Sequence, residues 1–507
     1  MNKNYYLFRF RIIVFIVAFF FCSDVFSANI YVNDGSALND VYCSAFGNDA
    51  NSGLTAGSPK LTLAAAYAIA TSGDIIYVDS GTYISTGTIA FNKNNIQIIG
   101  AGAANTIFES GSVTGTVRWG NLTANNAVFK GIQITKYDCA SDGIAMTISS
   151  GTGIIFDQVI IYANVGSGGQ GSLYISGSTT SVTIKNSSLP CNRVASANYG
   201  GALKINNATV NIENCSMNNN VISALDGGAI LIQGASANVT ITNSTFDANG
   251  ATTGGAIAHK GGTLTILNSC FDSNITAGGG SYFGGGAIII NPSVDSNVTI
   301  SNCSFSNNST TAASSDGGAI TITNLNDVTS NINIKSCSFT NNNAVDKGED
   351  ISFDKGSTAP VFDVVLENNT FNSVYSGTQV NLYNKDIPKN SIKINDLGAG
   401  IGGNGDMVAD GLGVSVSKPE FGADTTIVAA PGYTENSTAL PSSLPLTICN
   451  DRFTGTCGAA SATFICSTLN TWGDVTTTAT DADVITFDKG ANLPNAIAAA
   501  TWATSVI

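Results

Sequence analysis

Between residues 180 and 375 apolar and polar positions alternate in short bursts that recur every 25 to 34 residues. The bursts align on one large apolar residue, Leu189, Met217, Phe246, Phe271, Phe305, Phe339 and Phe371. Seven positions earlier stand Val182, Val210, Val239, Leu264, Val298, Ile332 and Val364. Five earlier stand Ile184, Ile212, Ile241, Ile266, Ile300, Ile334 and Leu366. Apolar residues two apart, mostly β-branched, predict a strand with one buried face. A unit with one such strand cannot bury its core alone, and stacking unit on unit does so. The pattern therefore predicts an all-β chain built as a right-handed parallel β-helix (a solenoid), with coils rising about 4.8 Å each.

Two rows of asparagine frame the anchor. Asn186, Asn214, Asn243, Asn268, Asn302 and Asn368 precede it by three, with Ser336 in the row. Asn192, Asn220, Asn249, Asn274, Asn308 and Asn342 follow it by three. Asparagine tolerates left-handed backbone and bonds neighbouring peptides, which suits tight turns. Stacked copies can bond amide to amide as a ladder. Upstream of each strand stands a Gly-Gly pair, at 200–201, 227–228, 254–255, 285–286 and 317–318, replaced by "GEDI" at 348–351. Cys215, Cys303 and Cys337 take a position filled elsewhere by Ser or Asn, as small residues beside a turn would.

Outside the repeat the chain divides by composition. Residues 1–27 have a basic start and the apolar run "IIVFIVAFFFC", too short for a comfortable membrane span, and read as a signal peptide. The mature chain is thus expected to be secreted or on the cell surface, without a transmembrane span. Residues 28–75 read as an N-terminal cap holding a Pro-initiated helix in "SPKLTLAAAYAIATSGD", and 76–385 as the β-helix. A Gly/Pro/Ser-rich transition and linker occupies 386–447. A separate β-type C-terminal segment at 448–507, with the Cys449–Cys457 spacing of a local pair, reads as a truncated end.

The recurring "GGAI" and "FxxN" motifs ("FDAN", "FDSN", "FSNN", "FTNN") over about residues 180–345 resemble the chlamydial polymorphic outer membrane protein repeat. That resemblance implies a right-handed parallel β-helix displayed on a cell surface, with an adhesive role. The chain departs from the family in having no recognisable C-terminal outer-membrane barrel. Its opening, from "IYVNDG" to "DSGTY", also resembles that of secreted bacterial β-helix proteins, some of which degrade polysaccharides.

Charge narrows the partners. A net charge of −14, with 21 Lys and Arg among 507 residues, excludes nucleic acid, whose phosphates need clustered cations. Glycans, or a host or neighbouring cell surface, remain as expected partners; no cofactor and no metal site is expected. Candidate chemistry is sparse. His259, the one histidine, and Lys260 extend a Gly-pair strand, aligned here with Leu231–Ile232, Ile289–Ile290 and Thr321–Ile322, which predicts a pair facing solvent or lying at a strand end. Asp247 and Asp272 follow anchors on adjacent coils and are expected near each other at a turn. Two readings follow: a non-catalytic β-helix for adhesion or glycan binding, or a polysaccharide lyase or glycoside hydrolase with its site on the loops.

Overall fold

Strand repeats spaced at one coil leave little freedom in how they pair. In a computed structural model, residues 27–111, 117–166, 171–194, 200–223, 225–278, 284–354, 356, 361–373 and 382–384 are described, followed by the backbone of a few short strands. They form a parallel β-solenoid. One sheet has fifteen strands and a second has twelve, joined by shorter sheets at the corners. In the long sheet Ser181–Lys185, Thr209–Glu213, Asn238–Thr242, Gly262–Leu267, Ser296–Ser301, Thr329–Lys335 and Val361–Glu367 pair in strict parallel register. The two apolar rows face inward and are buried from Val182 and Ile184 through Val364 and Leu366. The anchors stack beside them. The rings of Phe246, Phe271, Phe305, Phe339 and Phe371 lie 4.8, 4.9, 4.9 and 5.0 Å apart, stacked nearly parallel at 4° to 12°.

The two asparagine rows do different work. The first row is exposed and supplies left-handed corners, with φ of 50° at Asn186, Asn243 and Asn268 and 55° at Asn302. In the second row the left-handed residue is the one before, such as Asn219 or Ser273, and the asparagine itself is buried. Asn249 shows why. Its Nδ2 donates to Met217 O of the preceding coil (2.8 Å) and to Asn274 Oδ1 of the next (2.9 Å). Its Oδ1 accepts from Asn220 N and Nδ2 at 2.9 and 3.1 Å. All four polar valences of the amide are used, and the pattern runs from Asn164 to Asn342. Asn342 Nδ2 then donates to the buried Asp350 carboxylate at 3.0 Å. Along the ladder each amide donates to the amide of the next coil, and the Asp350 carboxyl accepts that donor where the row of asparagines ends.

The second sheet needs its Gly pairs for two reasons. The first glycine is left-handed, with φ of 73° at Gly227 and 58° at Gly254. At the second, a Cβ on Gly228 would lie 2.1 Å from Gly255 O, and one on Gly255 equally close to Gly286 O, so successive coils touch backbone to backbone. The helix near the N-terminus is shorter than its sequence suggests, Leu63–Ile69, and Pro59 lies outside it. Thr62 is the N-cap, its hydroxyl accepting from Ala65 N, and the Asp49 carboxylate holds Leu61 N and Thr62 N. These contacts keep Thr62 extended and delay the first turn.

The ladder sets a testable hierarchy. Asn249→Leu strands donors and acceptors on two neighbouring coils and is expected to cost about 3 kcal/mol. Asn243→Gly, at an exposed left-handed corner, is expected to stay within about 0.5 kcal/mol of wild type. Thermal melts of the two variants side by side check this ordering.

Candidate functional site

The histidine that drew attention in the sequence lies inside the solenoid. Strand Ile257–His259 pairs with Ile230–Gln233 and Ile288–Ile290, so that His259 stands opposite Ile232 and Ile290, not Leu231 and Ile289. The alignment used above is thus one residue out at this coil. In a strand a one-residue slip exchanges the two faces. His259 takes an inward position occupied by isoleucine on both adjacent coils, is fully buried, and has no hydrogen-bond partner on either ring nitrogen. Burial pushes its pKa down to about 3. A neutral imidazole walled off from solvent moves no proton to a substrate. Lys260, next to it, faces outward, and its ammonium pairs with the Asp226 carboxylate, which also bonds Thr253.

Asp247 and Asp272 are register partners on adjacent coils. Burial tends to raise the Asp272 pKa, but hydrogen bonds from Ser306, Asn307 and Ser273 outweigh it and hold the carboxyl below its usual range. Asn307 Nδ2 donates at 2.8 Å and Ser273 Oγ at 3.1 Å. An ionised carboxylate saturated by donors is a corner fastener and does not serve as a general acid. Among the described residues no group of three or more His, Cys, Asp or Glu is placed to hold a metal ion.

A second outward cluster escaped the sequence reading. Row positions on the outer face of the twelve-stranded sheet hold Lys204, Leu231, Ala258, Ile289, Thr321 and Ser352, and all six are buried. Lys204 Nζ pairs with Asp142 Oδ2 at 2.8 Å and sits 5.0 Å from the Tyr174 ring centroid. Arg118 Nη1 donates to Asp142 O at 2.7 Å. The available signal was a lysine in a row that otherwise carries no charge. Each cation is already committed to a partner, so the cluster fastens chain across this face.

An open concavity lies elsewhere, at the corner between the long sheet and the strands that carry the phenylalanines. Here three successive residues point out, in and out, as in Asn302–Cys303–Ser304. Stacking of this triplet makes a groove of about 410 Å³ along the coils. One wall is Asn268, Asn302, Ser336 and Asn368; the other is Cys270, Ser304, Ser338 and Thr370. The floor is Ser269, Cys303 and Cys337. Floor thiols imitate the hydroxyl they replace: Ser269 Oγ donates to Leu267 O at 2.9 Å, Cys303 Sγ to Ser301 O at 3.2 Å, and Cys337 Sγ to Lys335 O at 3.3 Å. The hydrogen bond with the Cys303 thiol, together with burial, pushes the Cys337 thiol up and keeps it protonated. Cys43, Cys139, Cys191, Cys215, Cys270, Cys303 and Cys337 are all free thiols; Cys449 and Cys457 lie outside the described residues.

No family model matches the chain, and no curated protein does. Among solved structures it is similar to the catalytic unit of a GH87 α-1,3-glucanase from Streptomyces thermodiastaticus, at 13% identity and a TM-score of 0.38, over 81% of this chain and 68% of that one. It is also similar to a mannuronan C-5 epimerase A-module from Azotobacter vinelandii, at 12% identity, a TM-score of 0.33 and coverage of 71% and 92%. A third is pectin methylesterase from carrot, at 12% identity, a TM-score of 0.31 and coverage of 73% and 89%. At such identities the likeness is one of fold.

The buried histidine makes an acid-sensitive coil. Unfolded, its pKa returns to the ordinary 6.5, so below that pH the unfolded chain takes up a proton the folded chain refuses until about 3. The stability it allows is complete above pH 6.5 and falls as pH drops toward 3, by up to about 1.4 kcal/mol per unit. His259→Ile, matching Ile232 and Ile290, is expected to raise the melting temperature at pH 7 and to flatten its decline between pH 6 and 4. Melts across that range measure both effects.

Proposed function

We propose that the chain is a secreted or surface-displayed β-solenoid that binds neutral glycans without turning them over. The corner groove is the observation that carries this reading. Its walls repeat amides and hydroxyls at one coil spacing, about 4.8 Å, close to the length of one pyranose unit. An extended glycan laid along the axis meets an amide or a hydroxyl at each sugar. The lining contains no carboxylate, imidazole or amine, so it offers polar recognition without an acid–base pair or a counter-charge for an anionic substrate. The acidic net charge agrees, since it repels polyanions at long range. Among the described residues no helix is long and apolar enough to cross a membrane, and the export step rests on residues 1–27, of which 1–26 lie outside the described ones.

Groove-filling variants test the proposal. Ser304→Trp and Ser338→Trp place bulk on an outward wall and leave the buried Phe305 and Phe339 untouched. Each is expected to weaken binding to soluble neutral glucans and xylans at least tenfold while melting like wild type. Sugar release by the unaltered protein from those glycans, or from uronate polymers, would overturn the non-catalytic reading in favour of a lyase or hydrolase.

A further inference from the structure

A cavity of about 770 Å³ lies near the N-terminal end, between the helix Leu63–Ile69 and the strands Gly81–Ser85 and Ile89–Phe91. Its volume falls in the range of small-ligand pockets. Three aromatic residues line it, Tyr67, Tyr83 and Phe108, and all three are largely buried, so they form its inner wall. They are already fixed by other contacts: Tyr67 stands edge-on to Phe91, Tyr83 packs on Phe108, and the Tyr83 hydroxyl donates to Asp79 O at 3.0 Å. The wall is rigid before any ligand arrives. Hydroxyls of Thr82, Thr86 and Thr88 add polar contacts, while the Ser85 hydroxyl is held by the Tyr137 hydroxyl at 2.6 Å.

The charges in the lining are of one sign. Asp34 and Asp49 contribute, and no Lys, Arg or His lines the space. Asp49 is consumed in holding Leu61, Thr62 and the helix start. Asp34 is not: its Oδ1 accepts from Ser36 N at 2.7 Å, and its Oδ2 lies over Gly81, where a Cβ would come within 2.4 Å. The missing side chain at Gly81 is what admits the carboxylate to this edge of the cavity.

We propose that this cavity binds a single cationic sugar ring, an amino sugar, with its apolar face toward the aromatic wall and its ammonium on Asp34 Oδ2. The site is separate from the corner groove and does not depend on glycan binding there. The test uses saturation-transfer NMR and calorimetry of the full chain with glucosamine, glucose and N-acetylglucosamine at pH 6, where the amine is charged. Glucosamine is expected to bind at least tenfold more tightly than either neutral sugar. Asp34→Asn retains the oxygen that accepts from Ser36 and is expected to abolish that preference. Thr86→Phe places bulk in the cavity from an exposed lining position and is expected to remove binding of all three. Ser304→Trp, in the groove, is expected to leave the glucosamine preference intact. Equal binding of the three sugars, no binding of glucosamine, or a preference that survives Asp34→Asn overturns the proposal.

Discussion

Each paired strand position of the solenoid stands about 4.8 Å from its counterpart on the next coil, and that repeat governs what each row of residues can be. A side chain in a stack must tolerate its own kind, or its chemical complement, directly above and below. Phenylalanine does so by stacking faces, isoleucine by interlocking, and buried asparagine by donating an amide proton upward while accepting from below. Asparagine is especially suited, because donor and acceptor sit on one planar group at a separation that fits the coil rise. Lysine and glutamate cannot repeat in this way. The outward row that begins at Lys130 answers by alternating sign, as Lys130, Asp157, Lys185 and Glu213, with ion pairs at Lys130–Asp157 and Lys335–Glu367. Like charges at that separation would repel by about 1 kcal/mol even in water.

This explains which features were legible. The inward rows of the long sheet could be read because each residue is fixed by its distance from an anchor, and that distance does not vary between Val182 and Val364. The second sheet was harder. Loops of unequal length separate it from the anchor, so its register rests on the Gly pair alone, and miscounting by one placed His259 outside when it is inside. Nor did the sequence show that the outer face of this sheet is covered. Lys204, Thr321 and Ser352 are buried there because chain arriving from the preceding loops packs on them.

The concave sites were not legible for a different reason. The corner groove is the space between two ordinary rows; no residue in it is unusual, and only the out-in-out turn at Asn302–Cys303–Ser304 makes the rows face one another. The N-terminal cavity forms where the repeat has not yet begun, between a helix and two early strands. Its defining feature, the carboxylate of Asp34 over Gly81, joins residues that no periodicity relates.

A buried imidazole without partners would be a severe defect in a small globular core. In a solenoid it is confined, because each coil contacts its neighbours and stability adds along the axis. The coils on either side of residues 254–274 keep complete amide ladders, phenylalanine stacks and isoleucine rows, and these carry the weaker coil between them. The same additivity frees the surface. An outward residue can change on one coil without disturbing the register of the others, so recognition can be altered one coil at a time along a groove whose backbone does not move. The constant spacing and the variable surface are therefore two consequences of one architecture, in which the ladder holds the coils in register and the outward rows are left to vary.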